Sequence, residues 1–419
     1  MDRDIIFAAD KEGSSDYIVV DGTSGIIKKL GRGMPPRPAD VSIPSGAAFL
    51  PGDFNAHSHP EQSIYVEIAD REWELAKWCR ETIYKYSTSM TDERIYYACV
   101  RAFGRMLAFG ETSVMVSFYC HNKSGNKLDK AVIRAARDVG IRLYFGRMNY
   151  DVITEGAYRG KHESQLSYYE TPEEAEINFA GLLSEEGPGV VIAPALHSFH
   201  ANTLDGIIKG INLGFEYGRK VQMHLSEDEG DVRLCLDNYG KRPVEVLKML
   251  LDTGRIQNLD HVILSDCVWT DKHEKEIIKD LGMSVVINGR MNDRVKAGRA
   301  EVGKYLEMGI RLYVGTDGEA SNDDLSVRNE RDWLAGVHNL SNTEMELLSC
   351  PFEMGGVKVG AVEAGAMGDF QLLRNGRLSE LYVGGRRVMC GGVLSSQNLV
   401  DEAEEYISKI WREPVQPVV

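Results

Sequence analysis

The sequence of 419 residues predicts an α/β fold, a (β/α)8 TIM barrel with a small composite β-sandwich domain built from both termini. Three observations support this prediction. Eight apolar, β-branched runs alternate with stretches of helical periodicity through the middle of the chain. Many of these stretches end in a glycine, which commonly stops a helix. Short β-type segments broken by turns flank the alternation at both ends.

The predicted barrel strands and helices follow one another in order along the chain. Gly110, Gly140, Gly282 and Gly309 each separate a predicted helix from the next strand. The predicted strands are 48–55, 112–119, 141–147, 190–198, 220–225, 261–266, 283–288 and 311–316. The predicted helices between them are 93–107, 128–139, 172–183, 204–217, 243–253, 272–281 and 300–308.

Both ends of the chain consist of short apolar segments bounded by turn residues, such as 17–20 and 370–373. Because short strands need neighbours to be stable, we expect the two ends to form one domain together. The prediction assigns 1–50 plus 355–419 to a composite β-sandwich domain and 51–354 to the barrel. Two unconnected β tails are the alternative.

The composition is that of an ordinary globular protein, with 43% apolar and 26% charged residues. A formal charge of −15 argues against a nucleic-acid partner, because a protein that binds nucleic acid needs positive charge to neutralise the phosphates. We expect no signal peptide and no membrane span, since no apolar run approaches the required length. Seven scattered cysteines without a Cys-x-x-Cys pair favour reduced thiols and therefore a cytoplasmic protein.

Histidines and aspartates end five of the eight predicted strands. In a parallel barrel the C-terminal strand ends carry the active site, whereas the opposite ends serve stability. The residues are His57 and His59 at strand 1, His197 at strand 4, His224 at strand 5, Asp266 at strand 6 and Asp317 at strand 8. Each residue alone has an ordinary structural explanation, such as a helix cap. Their shared position at the strand ends favours a functional site.

Three of these imidazoles and one carboxylate form a mixed nitrogen and oxygen ligand set for one divalent metal ion, Zn²⁺ first and Fe²⁺ second. The predicted ligands are His57, His59, His224 and Asp317. The ion would lower the pKa of a bound water from about 15.7 toward about 7, which supplies hydroxide at neutral pH. Glu227 follows His224 by three residues and could move protons between that water and a leaving amine.

These residues lie in motifs that resemble the amidohydrolase superfamily, in its mononuclear-metal deaminase and chlorohydrolase branch. The resemblance covers nearly the whole chain. Its motifs are Leu-Pro-Gly-Asp-Phe-Asn-Ala-His-Ser-His at 50–59, Met-His-Leu-Ser-Glu at 223–227 and Gly-Thr-Asp-Gly-Glu-Ala-Ser-Asn at 315–322. The branch includes S-adenosylhomocysteine deaminases, triazine hydrolases, guanine deaminases and formiminoglutamate deiminases. Stretches 78–84 and 239–245 are similar to the last of these.

The resemblance implies the barrel, the composite β-sandwich and the same four metal ligands. It also implies that Glu227 shuttles protons and that His197 lies near a small-molecule substrate. A homodimer is implied as well, and twofold dimers are the commonest soluble assemblies.

The chain departs from the branch at the end of strand 6, where Asp266 occupies the place of a histidine that hydrogen-bonds the metal-bound hydroxide. A carboxylate accepts hydrogen bonds where a neutral imidazole can donate one. Asp266 could therefore accept a proton from the water, bind the metal directly, or mark a barrel that has lost deamination. His261 cannot substitute, because it lies at the opposite end of the strand.

Other polar residues near the strand ends are expected to contact the substrate. Arg147, at the end of strand 3, could hold a substrate carboxylate or form a surface ion pair. Glu61 and Gln62 closely follow the histidine pair and are expected to face the substrate. The aromatic segment 64–91 is long enough to be an active-site lid, or its rings pack on the barrel.

The predicted reaction is hydrolytic removal of ammonia, or a related leaving group, from an amidine-type carbon. The substrate would be a small heterocycle or a formimino or guanidino compound. Glu227 would pass a proton to the departing ammonia, and Asp317 would help deprotonate the water. The alternative is an amidohydrolase-fold protein that binds a ligand with altered or lost catalysis, because of Asp266. Retention of all four ligands and of Glu227 favours the enzyme.

Overall fold

The first four strands of the chain form one sheet, and the fifth strand belongs to a second sheet. The structure, a computed structural model, describes residues 3–9 and 16–412. The first sheet has the order β3-β2-β1-β4, whereas the fifth strand pairs elsewhere. These strands are β1 (Ile5–Ala9), β2 (Tyr17–Val20), β3 (Ile27–Gly31), β4 (Val41–Ile43) and β5 (Ala48–Pro51).

The barrel is a sheet of eight parallel strands in sequential order, each paired with the next. The sheet closes on itself, because the backbone N–H groups of Thr316 and Asp317 both donate to the carbonyl of His57 at 3.0 Å. The predicted barrel is therefore confirmed. Its strands are β6 (Asp53–Ser58), β7 (Glu111–Phe118), β8 (Arg142–Asn149), β9 (Val190–Leu196), β10 (Val221–Leu225), β11 (Val262–Asp266), β12 (Ser284–Ile287) and β13 (Leu312–Val314).

The C-terminal strands complete the small domain. The order β19-β18-β17-β16-β5 places β5 beside β16, so one sheet contains strands from both ends of the chain. The Phe7 ring lies 5.2 Å from that of Phe370 and joins the two sheets in a composite sandwich, as predicted. Before them, β14 (Phe352–Met354) and β15 (Val357–Val359) form a separate two-stranded sheet, in which the ring of Phe352 stacks on that of Phe54 in the barrel. The strands of the small domain are β16 (Phe370–Arg374), β17 (Arg377–Val383), β18 (Arg386–Cys390) and β19 (Val393–Leu394).

Helices surround the barrel and pack their apolar faces on it. The predicted helices are present, and further short helices occupy the connections. The helices are α1 (Leu75–Glu81), α2 (Ile83–Tyr86), α3 (Asp92–Phe109), α4 (Lys127–Val139), α5 (Arg159–Tyr168), α6 (Pro172–Leu182), α7 (Leu204–Glu216), α8 (Glu229–Tyr239), α9 (Pro243–Asp252), α10 (Lys272–Asp280), α11 (Gly289–Arg294), α12 (Val302–Glu307), α13 (Val327–His338), α14 (Asn342–Leu347) and α15 (Gln397–Arg412). No helix in the described ranges is long and apolar enough to cross a membrane.

The structure corrects the first predicted strand, 48–55, which is two strands in different sheets. Gly52 separates them, and its N–H donates to the carbonyl of Asp369 at 2.9 Å. Residues before it pair antiparallel with β16, whereas residues after it pair parallel with β7. Continuous apolar character does not distinguish one strand from two, because both are buried on at least one face.

The C-terminal helix α15 was not predicted from the sequence. It packs on α3, where the rings of Tyr406 and Tyr97 lie 4.4 Å apart, and its Trp411 donates a hydrogen bond to the carbonyl of Ile64 at 2.6 Å. The boundaries 1–50 plus 355–419 and 51–354 stay a prediction. Residues 1–2, 10–15 and 413–419 of the small domain lie outside the described residues.

Candidate metal centre and active site

Three imidazoles and one carboxylate meet at the C-terminal ends of the barrel strands. Their ligand atoms all lie within 4.8 Å of one another, and all four residues are buried. The Nε2 atom of His57 lies 3.1 Å from Oδ1 of Asp317, and Nε2 of His59 lies 3.3 Å from the same oxygen. The Nε2 atoms of His59 and His224 are 3.2 Å apart. The structure thus brings together the four predicted ligands.

The other ring nitrogen of each imidazole is held by a hydrogen-bond acceptor. The acceptors of the three Nδ1 atoms are Oε1 of Gln222 for His57 at 2.6 Å, the carbonyl of Ser117 for His59 at 2.6 Å, and the carbonyl of His197 for His224 at 2.9 Å. Each acceptor takes the proton of Nδ1, so the three Nε2 atoms face into the site, where a neutral ring presents a lone pair. This donor set fits one divalent metal ion.

Electrostatics in the site also suit a cation. Burial lowers the pKa of His59 to about 4 and that of His224 well below its usual range. At His57 burial opposes the charged form, but the Asp317 carboxylate, together with Asp266 and Gln222, raises the pKa. Although burial opposes it, the imidazoles of His59 and His57 hold the pKa of Asp317 well below its usual range. The site therefore keeps two neutral imidazoles and an ionised carboxylate ready for a cation.

Two further carboxyl groups belong to this end of the barrel. Burial, and after it the charges of Asp266 and Asp317, raise the pKa of Glu227 well above its usual range. Burial also raises the pKa of Asp266 to about 6. Because these carboxyl groups disfavour one another's ionisation, a cation at this end of the barrel would favour their charged forms. Perturbed carboxyl groups of this kind occur at catalytic sites.

A cavity of about 420 Å³ opens over the ligand set, within the size range of small-molecule sites. His59, His224, Asp317 and Glu227 form its floor. Its walls are largely aromatic, and the rings that line it are Trp78, Tyr84, Tyr119, Tyr150, Tyr158 and Tyr168. Segment 64–91 contributes part of this wall and also packs on the barrel, as in the Trp78 Nε1 bond to the carbonyl of Ala320 at 3.0 Å.

Two predicted substrate contacts reach the cavity. His197 lines it, with its ring 5.0 Å from those of Tyr119 and His224. Gln62 lines it too, and its Oε1 has no hydrogen-bond partner in the described part of the chain. Glu61 is buried beside it, and burial raises its pKa to about 8.

Arg147 does not reach the cavity, which corrects the prediction of a substrate contact. Its guanidinium is buried and donates to both oxygens of Glu170 at 2.5 and 2.8 Å, and it lies 3.2 Å from Asp129. Arg147 shares a strand face with Leu143 and Phe145, which pack against the helices outside the barrel. It is therefore neither a substrate ligand nor a surface residue.

Sequence reasoning missed several residues of the site. Gln222 lies two positions before His224 on β10, and strand alternation could have placed it on the same inward face. His200 and Lys161 line the cavity from a loop and from α5, where no sequence periodicity identifies them. Ser321 binds Oδ2 of Asp317 at 2.7 Å and so orients that ligand.

Fold and site together define a parallel barrel protein with a candidate mononuclear metal centre at its catalytic face. The model of the amidohydrolase family matches residues 48–388, which is most of the chain. The chain therefore belongs to the amidohydrolase family, and the predicted resemblance is confirmed.

The chain is also similar in sequence to individual relatives and in fold to solved structures. The chain is 27% identical over 339 residues to a 5-methylthioadenosine/S-adenosylhomocysteine deaminase of Syntrophobacter fumaroxidans, covering 81% of this chain and 70% of the relative. It is 28% identical over 346 residues to a 5'-deoxyadenosine deaminase of Methanopyrus kandleri, covering 80% and 74%. An atrazine chlorohydrolase from Arthrobacter aurescens, solved with zinc, shares the fold with a TM-score of 0.82 at 19% identity, covering 96% of this chain and 100% of that chain.

Proposed function

We propose that this protein is a metal-dependent deaminase that replaces the amino group of an amidine-type carbon in a small heterocycle by oxygen. One observation carries the proposal. Three inward-pointing Nε2 atoms and the Asp317 carboxylate surround one point, and Glu227 faces the same cavity. Adenine-type nucleosides are the first substrates to test, because the relatives named above are deaminases of such compounds.

The proposed cofactor is one divalent ion held by His57, His59, His224 and Asp317, with Zn²⁺ first and Fe²⁺ second. Three neutral nitrogens and one carboxylate oxygen are the donors that both ions accept. When bound, the ion supplies a Lewis acid that lowers the pKa of water from about 15.7 toward about 7.

The protein's own carboxyl groups move the protons in the proposed reaction. As the carbon–oxygen bond forms, the proton lost by water passes to a carboxylate of the cluster formed by Asp317, Asp266 and Glu227. As the carbon–nitrogen bond breaks, Glu227 gives a proton to the departing nitrogen, so that water and the amine become product and ammonia. The raised pKa of Glu227 suits this role, because the group then holds a proton that it can give to the departing nitrogen.

The cavity walls suggest how the substrate is bound. The aromatic rings can stack on a planar heterocycle, while His197 and Gln62 are proposed to hydrogen-bond its edge. Lys161 has its ammonium 5.5 Å from the ring of Tyr84 on the same wall. We propose that it favours substrates that carry an acidic group, such as the carboxylate of S-adenosylhomocysteine, over uncharged analogues.

We also propose an assembly, a class of partner and a location for the protein. A homodimer agrees with the commonest soluble assembly, and light scattering on the purified protein tests it. The charge of −15 supports the absence of a nucleic-acid partner. Cysteines that are free in the structure support a cytoplasmic location.

The test combines metal analysis with an ammonia-release screen over adenine nucleosides, guanine, cytosine, triazines and formimino or guanidino acids. Wild type is expected to hold about one ion per chain and to release ammonia from at least one compound. Glu227→Gln should lower kcat by about 10²- to 10⁴-fold while metal content is kept.

Glu229→Gln is the matched control, because Glu229 is exposed two residues away and should leave kcat unchanged. A Glu227→Gln variant as active as wild type would overturn the proton-transfer role. Metal and ligand binding without turnover in wild type would favour the alternative of a ligand-binding protein. That alternative follows from the replacement of the usual strand-6 histidine by Asp266.

A further inference from the structure

A short turn, Glu319–Ser321, follows the candidate metal ligand Asp317. Two of its residues make contacts at the candidate site. Oγ of Ser321 donates a hydrogen bond to Oδ2 of Asp317 at 2.7 Å, and the carbonyl of Ala320 accepts one from Nε1 of Trp78 at 3.0 Å. The turn therefore contacts both a candidate ligand and an aromatic ring of the cavity wall.

The first residue of this turn, Glu319, has a buried carboxylate with a partner at each oxygen. Oε2 accepts a hydrogen bond from Oγ of Ser63 at 2.6 Å, and Oε1 accepts one from the guanidinium of Arg105. Ser63 follows the ligand His59 by four residues, so the carboxylate joins the segments that come after β6 and β13. A buried carboxylate is costly without such partners, and it therefore keeps these segments together.

Arg105 connects this carboxylate with the C-terminal helix α15. It lies on α3, and its Nε and Nη2 atoms donate to one oxygen of Glu404 on α15 at 3.1 and 2.7 Å. The other oxygen of Glu404 lies 3.0 Å from Arg101, which also donates to the carbonyl of Ser63 at 3.3 Å. Two arginines thus link α15 to the segments that follow the candidate ligands.

The ion pair of Arg105 and Glu319 lies outside the cavity over the ligand set. Among the described residues that line this cavity or belong to the ligand set, neither of the two occurs. The pair therefore acts on the site through the residues that it holds. Outer partners of this kind orient metal ligands, and their loss lowers metal affinity.

We infer that Arg105 and Glu319 are positioning residues, through which the C-terminal helix holds Asp317 and Trp78 in place. The inference rests on the proposed function, and it gives α15 a role at the candidate metal centre. The alternative is an ion pair that stabilises the fold and has no effect on the site.

Arg105→Met separates the two roles, because the loss of charge and the loss of position change metal affinity differently. Removal of a positive charge by itself should raise the affinity for a divalent cation or leave it unchanged. Removal of a support should lower it, and we expect metal affinity to fall about tenfold and kcat to fall with it. Competition with a chelator measures the affinity, at a temperature where both proteins are folded.

The matched control for this variant is Arg137→Met, which breaks a surface ion pair with Glu185 and should leave metal affinity unchanged. Hydrogen exchange of the metal-free protein gives a second measurement that needs no turnover. Exchange at residues 318–322 should become faster in Arg105→Met than in wild type, because the turn has lost its support.

Glu404→Gln tests the contribution of the C-terminal helix with a variant that is expected to fold, because Glu404 is only half-buried. We expect metal affinity to fall about threefold, since Arg105 loses one of its two charged partners. Glu405→Gln is the control, because it removes the same charge from the neighbouring exposed position, where Glu405 pairs with Lys409.

Two results would overturn the inference. One is a metal affinity of Arg105→Met that equals or exceeds that of wild type, and the other is the same affinity in Glu404→Gln and Glu405→Gln. If Arg105→Met does not fold, the comparison of the two glutamate variants decides alone. Failure of the proposed function is distinguishable, because wild type would then release no ammonia while metal affinity and hydrogen exchange could still be compared.

Discussion

The side-chain oxygen of Gln222 lies 2.6 Å from Nδ1 of His57 and fixes the orientation of that imidazole. Gln222 is on β10, two residues before His224, whereas His57 is on β6. The side-chain Nε2 of Gln222 donates to the carbonyl of Ala56 at 2.8 Å. The side chain therefore binds both the imidazole of His57 and the backbone of the residue before it. One strand thus carries a ligand and also orients a ligand on another strand.

Gln222→Met should weaken metal binding, because it removes the acceptor that holds His57 in the required tautomer. Loss of such a partner typically lowers metal affinity about 10- to 100-fold. Competition with a chelator, followed by metal content, measures the effect. Gln257→Met is the control, because Gln257 is exposed. Equal metal retention in both variants would contradict the orienting role.

Gly318→Ala should disturb substrate binding through Gln62. An added Cβ at Gly318 would come within 2.0 Å of Oε1 of Gln62 and force this side chain to move. We expect KM to rise about tenfold with metal content unchanged. Gly336→Ala is the control, since its Cβ would meet no described atom within 4 Å inside α13. That variant should gain about 1 kcal/mol of stability and keep KM.

Arg147→Met should lower stability and leave substrate binding unchanged. The substitution leaves the buried carboxylate of Glu170 without its cation and Asp129 with only His121 beside it, and breaking a buried ion pair typically costs about 3–5 kcal/mol. Urea unfolding measures this loss, and Arg159→Met, an exposed control, should change stability by less than about 0.5 kcal/mol. A large rise in KM without loss of stability would restore the substrate contact first predicted for Arg147.

Glu330 should make stability depend on pH. Burial raises the pKa of Glu330 from 4.5 to about 7, although Asn322 and the N–H of Arg290 donate to it. The folded protein therefore holds a proton that the unfolded chain releases. The associated stability is complete below 4.5 and is lost as the pH rises through about 7.

Glu330→Gln cannot ionise, so this variant should gain Tm relative to wild type between about pH 5 and pH 8. The measurement is the difference between the two Tm values at each pH. A constant difference across this range would refute the titration of Glu330.

Much of the fold could be predicted because parallel barrel strands are apolar runs separated by helices with clear stop signals. The failures have local causes. Segment 48–55 was predicted as one strand, since apolar character does not reveal that Gly52 divides two sheets. The helix α15 was not predicted, because the whole C-terminal stretch was assigned to the β-sandwich domain although Val400, Ala403 and Ile407 recur at helical spacing.

The ligand set could be predicted because His57, His224 and Asp317 lie at the strand ends, which a parallel barrel brings together. Arg147 also lies near a strand end, yet its side chain faces the helices. Strand position alone does not tell which of the two faces points inward, and the apolar residues on both faces of β8 hide the distinction.

The sequence by itself determined the barrel, the composite small domain and the identity of the four candidate ligands, because these depend on periodicity and on the order of strands. Tertiary structure alone decided which acceptors orient the imidazoles and which cations are already paired. It also decided that one oxygen of Asp266 accepts two hydrogen bonds while the other has no partner among the described residues. These properties depend on distances of a few ångströms between residues far apart in the chain. Local sequence preferences do not encode such distances, which arise when all eight strands close into one barrel.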